Sequence, residues 1–330
     1  MKIGIVGTGM IVHEILPVLY KMPEIELHLI CGTKRSEEIL RQLAQEYNIN
    51  AAFTDFDDML SSGESKELDA LYIAVPNDLH YELAKKALES GKNVILEKPF
   101  VLEYKKALEL KELAEKKGVM LLEAISNQYL DAYKKIKEAL SMLGEITYAE
   151  ANFSQYSSRY DRFMAGEYFK VFDKAAGGGA LTDINIYNIH IMAGLFGMPK
   201  AVNYCPRNIK DVDVSGLLIL KYDNFIASCI GAKDSQGSSG ILIQGTKGYL
   251  ETKAATNVLN ATINIVLRDG SKKELIPEAA DDHRMMAEFK EFARIVENND
   301  LKEAQSRLNE SLIAVKILEE AVQRESKLAC

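Results

Sequence analysis

The sequence predicts an α/β protein in two parts: a doubly wound parallel sheet over residues 1–124, then an α+β domain on a largely antiparallel open sheet over residues 125–330. Three observations carry that expectation. The chain opens with a short apolar strand, Met1-Lys2-Ile3-Gly4-Ile5-Val6, which runs into the glycine turn Gly7-Thr8-Gly9 with a helical pattern behind it. Strand and helix patterns then alternate, as in a parallel sheet covered on both faces. Past residue 125 the texture changes to period-two segments separated by turn signals. With 330 residues and 47% hydrophobic content, the chain can bury a substantial core and form two domains.

The first element, strand then glycine turn then helix, is the order in which a protein holds a dinucleotide. The first glycine permits the tight turn, and the second lets the backbone approach a pyrophosphate resting on the N-terminal dipole of the following helix. Val12 stands where that fingerprint has a third small residue, and Pro17 removes an amide donor and interrupts the helix. A strand-turn-helix without a ligand is the competing reading of this motif alone. Next come a strand over 25–31, a helix over 36–47, a strand over 68–75, a helix over 79–90 and a strand over 93–96. Two polar sites fall at strand ends, Pro76-Asn77-Asp78 and Glu97-Lys98-Pro99, where ligands of such sheets gather.

After the second strand, a carboxylate commonly accepts hydrogen bonds from the adenosine ribose. Here the chain reads Cys31-Gly32-Thr33-Lys34-Arg35-Ser36, without an acid. A hydroxyl followed by two cations suits a 2′-phosphate, which points to NADP in preference to NAD, with NAD still open. The bland alternative makes Lys34 and Arg35 ordinary solvated residues before a helix.

In the second domain, a helix is expected over 132–140 and strands over 146–155, 202–205, 215–221 and 225–231. Hairpins follow around Gly245-Thr246-Lys247 and Asp269-Gly270, with strands over 241–244, 248–251, 262–267 and 273–276. One sheet face has no covering helix in this reading, so a homodimer or homotetramer through that face is expected. Helices over 282–297 and 305–325 either close the domain or dock on the first.

A formal net charge of −8 offers no basic footprint for nucleic acid or an anionic membrane. Cys31, Cys205, Cys229 and Cys330 are scattered, without metal-site spacing or a disulfide framework, which fits a reduced cytoplasm. The first residues already read as strand, and no apolar run is long enough to span a bilayer, so neither a signal peptide nor a membrane segment is expected.

The most telling stretch runs Gly177-Gly178-Gly179-Ala180-Leu181-Thr182-Asp183-Ile184-Asn185-Ile186-Tyr187-Asn188-Ile189-His190. On one continuous helix Asp183, Tyr187 and His190 share a face at i, i+4 and i+7. A polar stripe on so apolar a helix marks either a ligand-filled cleft or an internal network in which Tyr187 bonds Asp183.

With Pro76-Asn77-Asp78-Leu79-His80, Ala87-Leu88-Glu89-Ser90-Gly91-Lys92-Asn93-Val94 and Glu97-Lys98-Pro99-Phe100 in order before that stretch, the chain resembles the glucose-fructose oxidoreductase, inositol dehydrogenase and MocA (Gfo/Idh/MocA) family. Asp183 followed by Tyr187 is similar to its dihydrodiol dehydrogenase and glucose-fructose oxidoreductase branch, whereas inositol dehydrogenases usually carry His at that second position. The resemblance implies a Rossmann domain, NADP use and hydride transfer at a carbinol or carbonyl carbon of a sugar, polyol or cyclic diol. It implies that Lys98 is the catalytic lysine and that Asp183 and Tyr187 complete the site. Around the cofactor it implies Gly7, Thr8, Gly9, Met10, Ile11, Thr33, Lys34, Arg35, Pro76, Asn77, His80, Glu97 and Lys98. No metal is implied. Tyr187 could exchange the proton if Lys98 lowers its pKa, or Lys98 could polarise the oxygen directly. Asp183 would orient Lys98 or a substrate hydroxyl. Arg159, Tyr160 and His190 are candidate substrate contacts, against a solvated loop and a structural histidine. Asn185 departs from the family's usual glycine. Some relatives are non-catalytic NADP-binding regulators, but loss of the lysine would mark those, and Lys98 is present.

Overall fold

The structure, a computed structural model, describes residues 1–278 and 283–325. Its residues form two compact units, Met1–Ala124 with Met285–Asn309 and Ile125–Arg284 with Glu310–Cys330. The chain first passes from one unit to the other between Ala124 and Ile125. Residues 285–309, assigned by the sequence to the second part, pack with the first.

The first unit runs β1 (Lys2–Val6), α1 (Met10–Leu19), β2 (Glu26–Cys31), α2 (Glu37–Glu46), β3 (Ala51–Phe53), α3 (Phe56–Ser61), β4 (Ala70–Ile73), α4 (His80–Glu89), β5 (Asn93–Glu97), α5 (Tyr104–Lys117) and β6 (Leu121–Ala124). All its strand pairs are parallel, in the order β3-β2-β1-β4-β5-β6. That is the doubly wound arrangement, and its switch point lies between β1 and β4. The residues explain it: β4, Ala-Leu-Tyr-Ile, is buried along its whole length, as a central strand covered on both faces must be. Contrary to expectation, α1 continues through Pro17 to Leu19. Pro17 lies in the last turn, where the bond it forgoes would have reached only the carbonyl of exposed His13. Val12 is fully buried, packing where the fingerprint would have a smaller residue. The short β3, together with α5 and β6, has no counterpart in the sequence reading.

The second unit contains α6 (Asp131–Ala139), β7 (Ile146–Ser154), α7 (Tyr160–Met164), α8 (Ala180–Asp183), α9 (Asn185–Phe196), β8 (Ala201–Ile209), β9 (Val212–Lys221), β10 (Ile226–Ala232), β11 (Gly240–Gly245), β12 (Gly248–Thr252), β13 (Ile263–Leu267) and β14 (Lys272–Leu275). Its eight strands lie in the order β14-β13-β12-β11-β7-β10-β9-β8, antiparallel except for the β7–β10 pair. Ala149, Ala151 and Phe153 of β7 point to the buried face, which α9 covers. Tyr148, Glu150 and Asn152 alternate onto the other face and stay partly exposed.

The last helices are α10 (Met286–Glu297) and α11 (Leu301–Glu325). α10 seats Phe289 edge-on against Tyr72 of β4, with ring centroids 5.2 Å apart. The expected start at residue 282 and Cys330 lie outside the described residues.

Candidate active site

At the switch point of the first unit, the backbone is shaped by an absence of side chains. Gly7 has φ +127°, and a Cβ there would stand 2.1 Å from the Ala74 carbonyl oxygen, so only glycine permits this turn. Its amide donates to the Cys31 carbonyl at 2.8 Å, tying the end of β1 to the end of β2. Gly9 has open space where its Cβ would be, and it precedes α1, whose first turn holds no acidic residue. Those features fit a pyrophosphate: room for close approach and an uncompensated helix N-terminus. Thr8, Met10 and Ile11 surround the same turn, and Met10 is largely exposed.

The end of β2 lies beside this turn. A Cβ on Gly32 would meet the Ser36 hydroxyl at 2.7 Å and the Thr8 methyl at 3.2 Å. Ser36 Oγ accepts from the Thr33 amide and its own amide donates to the Thr33 carbonyl, which fixes a tight turn at Lys34–Ser36. Thr33, Lys34 and Arg35 are exposed, and neither cation makes an ion pair among the described residues. Donors and positive charge without a carboxylate fit a 2′-phosphate.

The ends of β4 and β5 carry the other polar groups. Pro76 is exposed and Asn77 opens a turn over Asn77–Leu79. Glu97 is buried and accepts a 2.5 Å hydrogen bond from the Tyr72 hydroxyl, while its second oxygen accepts from the Lys98 amide at 3.1 Å. Its carboxylate thus fixes the backbone from which the half-buried Lys98 side chain departs. The Lys98–Pro99 peptide is cis. Glu123, buried in β6, accepts from the Phe100 amide at 2.9 Å. His80 has no exposed surface: Nε2 lies 2.9 Å from the Val75 carbonyl, and Nδ1 lies 2.9 Å and 3.2 Å from those of Pro99 and Phe100. Acceptors on both nitrogens and the field of Glu123 favour its charged form, but burial is the larger effect and pulls its pKa down. Its ring joins the β4 and β5 loops from within.

In the second unit, the predicted continuous helix is broken. α8 ends at Asp183 and α9 begins at Asn185, with Ile184 at φ −116° between them. Asp183 and Tyr187 therefore do not lie on one regular helix. Asp183 Oδ2 accepts a 2.7 Å hydrogen bond from Lys233, whose side chain is only 3% exposed. Tyr187 is buried, with its ring edge-on to Phe153 at 5.9 Å and its carbonyl accepting from Asn127 at 2.9 Å. His190 is fully buried, with Nδ1 3.3 Å from Gln128 Nε2. Tyr160 sits in a core cluster with Phe163, Phe172, Val212 and Val214. Arg159 lies over the Phe169 ring at 5.8 Å.

Asn185 is accommodated by a glycine across from it. A Cβ on Gly231 of β10 would lie 2.7 Å from Asn185 Cβ. Asn185 then donates to the Cys229 carbonyl at 3.2 Å and accepts from Asn188 at 2.8 Å.

Sequence reading missed Lys233, Glu123 and Tyr72. Each had a faint signal, being a polar group at or inside an otherwise apolar strand run. Lys98 belongs to the first unit, and Asp183 and Tyr187 to the second.

Residues 1–125 match the family described as oxidoreductase family, NAD-binding Rossmann fold, and residues 133–251 match the GFO/IDH/MocA C-terminal domain. The chain is 32% identical to the scyllo-inositol 2-dehydrogenase (NADP(+)) IolU of Bacillus subtilis, over 97% of this chain and 96% of that protein. It is 25% identical to the trans-1,2-dihydrobenzene-1,2-diol dehydrogenase of Xenopus tropicalis, over 76% of this chain and 74% of the relative. The crystal structure of KijD10, a 3-ketoreductase from Actinomadura kijaniata in complex with NADP and TDP-benzene, has a similar fold. Its TM-score is 0.84 at 20% identity, over 98% of this chain and 97% of that one. No described helix is long and apolar enough to cross a membrane. The glycine turn on a doubly wound sheet, the Glu97-Lys98-Pro99 strand end and a match along almost the whole length have one explanation: the chain belongs to the Gfo/Idh/MocA family of NAD(P)-binding oxidoreductases.

Proposed function

We propose that this protein is an NADP-preferring dehydrogenase or reductase acting on a CH–OH or C=O carbon of a sugar, polyol or cyclic diol. The observation that carries the reading is Lys98, half-buried directly after β5 and held at its backbone by Glu97, in a chain that matches an NADP-dependent inositol dehydrogenase over 97% of its length. A bound nicotinamide would take or give the hydride. The remaining work falls to side chains, which must hold the substrate carbon against the ring and move one proton at its oxygen.

In this reading Lys98 supplies positive charge to the substrate oxygen, and the Tyr187 hydroxyl donates or accepts the proton. Asp183 accepts a hydrogen bond from a neighbouring substrate hydroxyl. Thr33, Lys34 and Arg35 hold the 2′-phosphate, and the Gly7–Gly9 turn receives the pyrophosphate. Ribose and nicotinamide are assigned to Pro76, Asn77 and Glu97, with His80 setting those loops from behind.

Copies of the chain are proposed to pair through the open sheet face, where Leu217, Ile219, Ile226, Ile230, Leu242 and Tyr249 alternate outward. An Ile230→Glu substitution should then lower the mass in light scattering to that of one 36.8 kDa chain. The free thiols Cys31, Cys205 and Cys229 suit the reducing cytoplasm proposed as its compartment.

The test is a fluorescence titration with NADPH and NADH, followed by turnover assays on inositols, aldoses and trans-diols. NADPH binding with turnover of at least one polyol or diol supports the reading. Tight NADPH binding with no turnover across the panel replaces it with a cofactor-binding regulator.

A further inference from the structure

We infer that Lys233 is a positioning residue for the reaction, holding the Asp183 carboxylate ionised and in one rotamer; the inference rests on the reading that Asp183 contacts substrate. Lys233 directly follows β10, and its amide donates to the Val214 carbonyl at 2.8 Å, so the sheet fixes its backbone. The ammonium reaches Asp183 Oδ2 at 2.7 Å and the Val171 carbonyl at 2.9 Å, and it lies 4.3 Å from the centre of the Phe172 ring. A carboxylate, a carbonyl and an aromatic face thus surround a nearly buried cation.

The Val171 carbonyl also accepts from the Gly179 amide at 3.1 Å, and Gly179 precedes α8, the helix that ends at Asp183. The ammonium therefore closes a ring from Val171 through Gly179 and α8 to the carboxylate. Asp183 keeps 36% side-chain exposure, so it remains open to a ligand while its position is set from the buried side. Three acids close by in the chain or packing are engaged by other groups. Asp173 accepts from the Tyr168 hydroxyl and the Ala175 amide. Asp213 accepts from the Tyr204 hydroxyl and the Leu181 amide, and Asp234 pairs with Arg207 and Ser215. A cation this deeply buried, aimed at one acid of the site, does more than a surface ion pair, which orients little.

The experiment compares wild type with Lys233→Met, Lys233→Arg, Asp183→Asn and the Lys233→Met/Asp183→Asn double variant. The assay is polyol oxidation with NADP⁺, alongside a ¹³C NMR titration of the aspartate carboxyls in which Asp183→Asn identifies the Asp183 signal. Losing an opposite charge at this distance raises a carboxylate pKa by about one unit or more. Lys233→Met should therefore move the Asp183 titration and the acid limb of kcat/KM upward by that amount. It should lower kcat/KM roughly 10- to 100-fold, leave NADPH affinity unchanged and add no further loss in the Asp183→Asn background. Lys233→Arg should keep the wild-type titration.

An unmoved Asp183 titration in Lys233→Met, or a loss that persists undiminished in the Asp183→Asn background, overturns the inference. If the methionine variant does not fold, Lys233→Gln, which keeps a donor but no charge, must show the same upward shift. The NMR readout requires no turnover, so it judges the Lys233–Asp183 pair even if the wild type oxidises none of the polyols and the functional reading fails.

Discussion

Asn185 and Gly231 form a matched pair whose interdependence can be measured. A Gly231→Ala methyl would lie 2.7 Å from Asn185 Cβ, 3.0 Å from its Cγ and 3.1 Å from Ile184 Cγ2, on the first turn of α9. Overpacking of this kind costs about 1–3 kcal/mol. Restricting the unfolded chain returns about 0.4–1 kcal/mol, so a net loss of about 1–2 kcal/mol is expected. Asn185→Gly gives up the bonds to the Cys229 carbonyl and from Asn188. Each is worth about 0.5–1.5 kcal/mol, and helical glycine adds about 1 kcal/mol, for a loss of about 2–4 kcal/mol. In the double variant the steric part disappears, and its total loss should fall short of the sum by about 1–2 kcal/mol. Urea unfolding followed by far-UV circular dichroism is the suitable assay, because the chain has no tryptophan. Losses that add to within about 0.5 kcal/mol would show that the two sites do not contact as described and refute the reasoning.

Further outcomes are expected at the nucleotide site and in the first core. Arg35→Ala should weaken NADPH binding by about tenfold or more, through loss of a charge-assisted hydrogen bond worth about 1.5–3 kcal/mol; equal losses for NADPH and NADH in a fluorescence titration would remove the 2′-phosphate assignment. Lys98→Met should abolish turnover while cofactor binding stays near wild type, and surviving activity would take the role from Lys98. Burial pushes the Cys31 thiol from 9.0 up to about 12, with Asp55 and Asp58 adding to the effect. The folded state therefore keeps a proton that the unfolded chain releases, and this stabilisation is whole below about pH 9 and lost as pH rises through about 12. Cys31→Ala should flatten the alkaline fall in the urea midpoint, and parallel slopes for the two proteins would argue against burial as the cause.

The order of elements in both units could be read from the sequence because it rests on local chemistry. The run Ile3–Val6 before a glycine turn, the wholly apolar β4 and the Asp269-Gly270 hairpin each declare themselves within a few residues. The polar Glu97-Lys98-Pro99 end of β5 was legible the same way, since a charge at the end of an apolar strand is a local signal. Short β3 was missed because three residues carry no period, and Glu123 because one acid in an apolar run reads as an interruption. The helix break at Ile184 was also hidden: the apolar spacing runs straight across it, and only the packing of α8 and α9 on β9 and β10 bends the chain there.

What the sequence by itself determined, then, was the fold class, the glycine turn after β1 and the missing acid after β2, all properties of neighbours along the chain. Tertiary structure decided that Asp183 meets Lys233, that Gly231 makes room for Asn185, and that His80 serves from behind the strand ends. Those pairings join residues 50, 46 and 19 positions apart in the chain through sheet register and core packing, and a side chain's partner at such range is set by where the backbone is held, which no local pattern encodes.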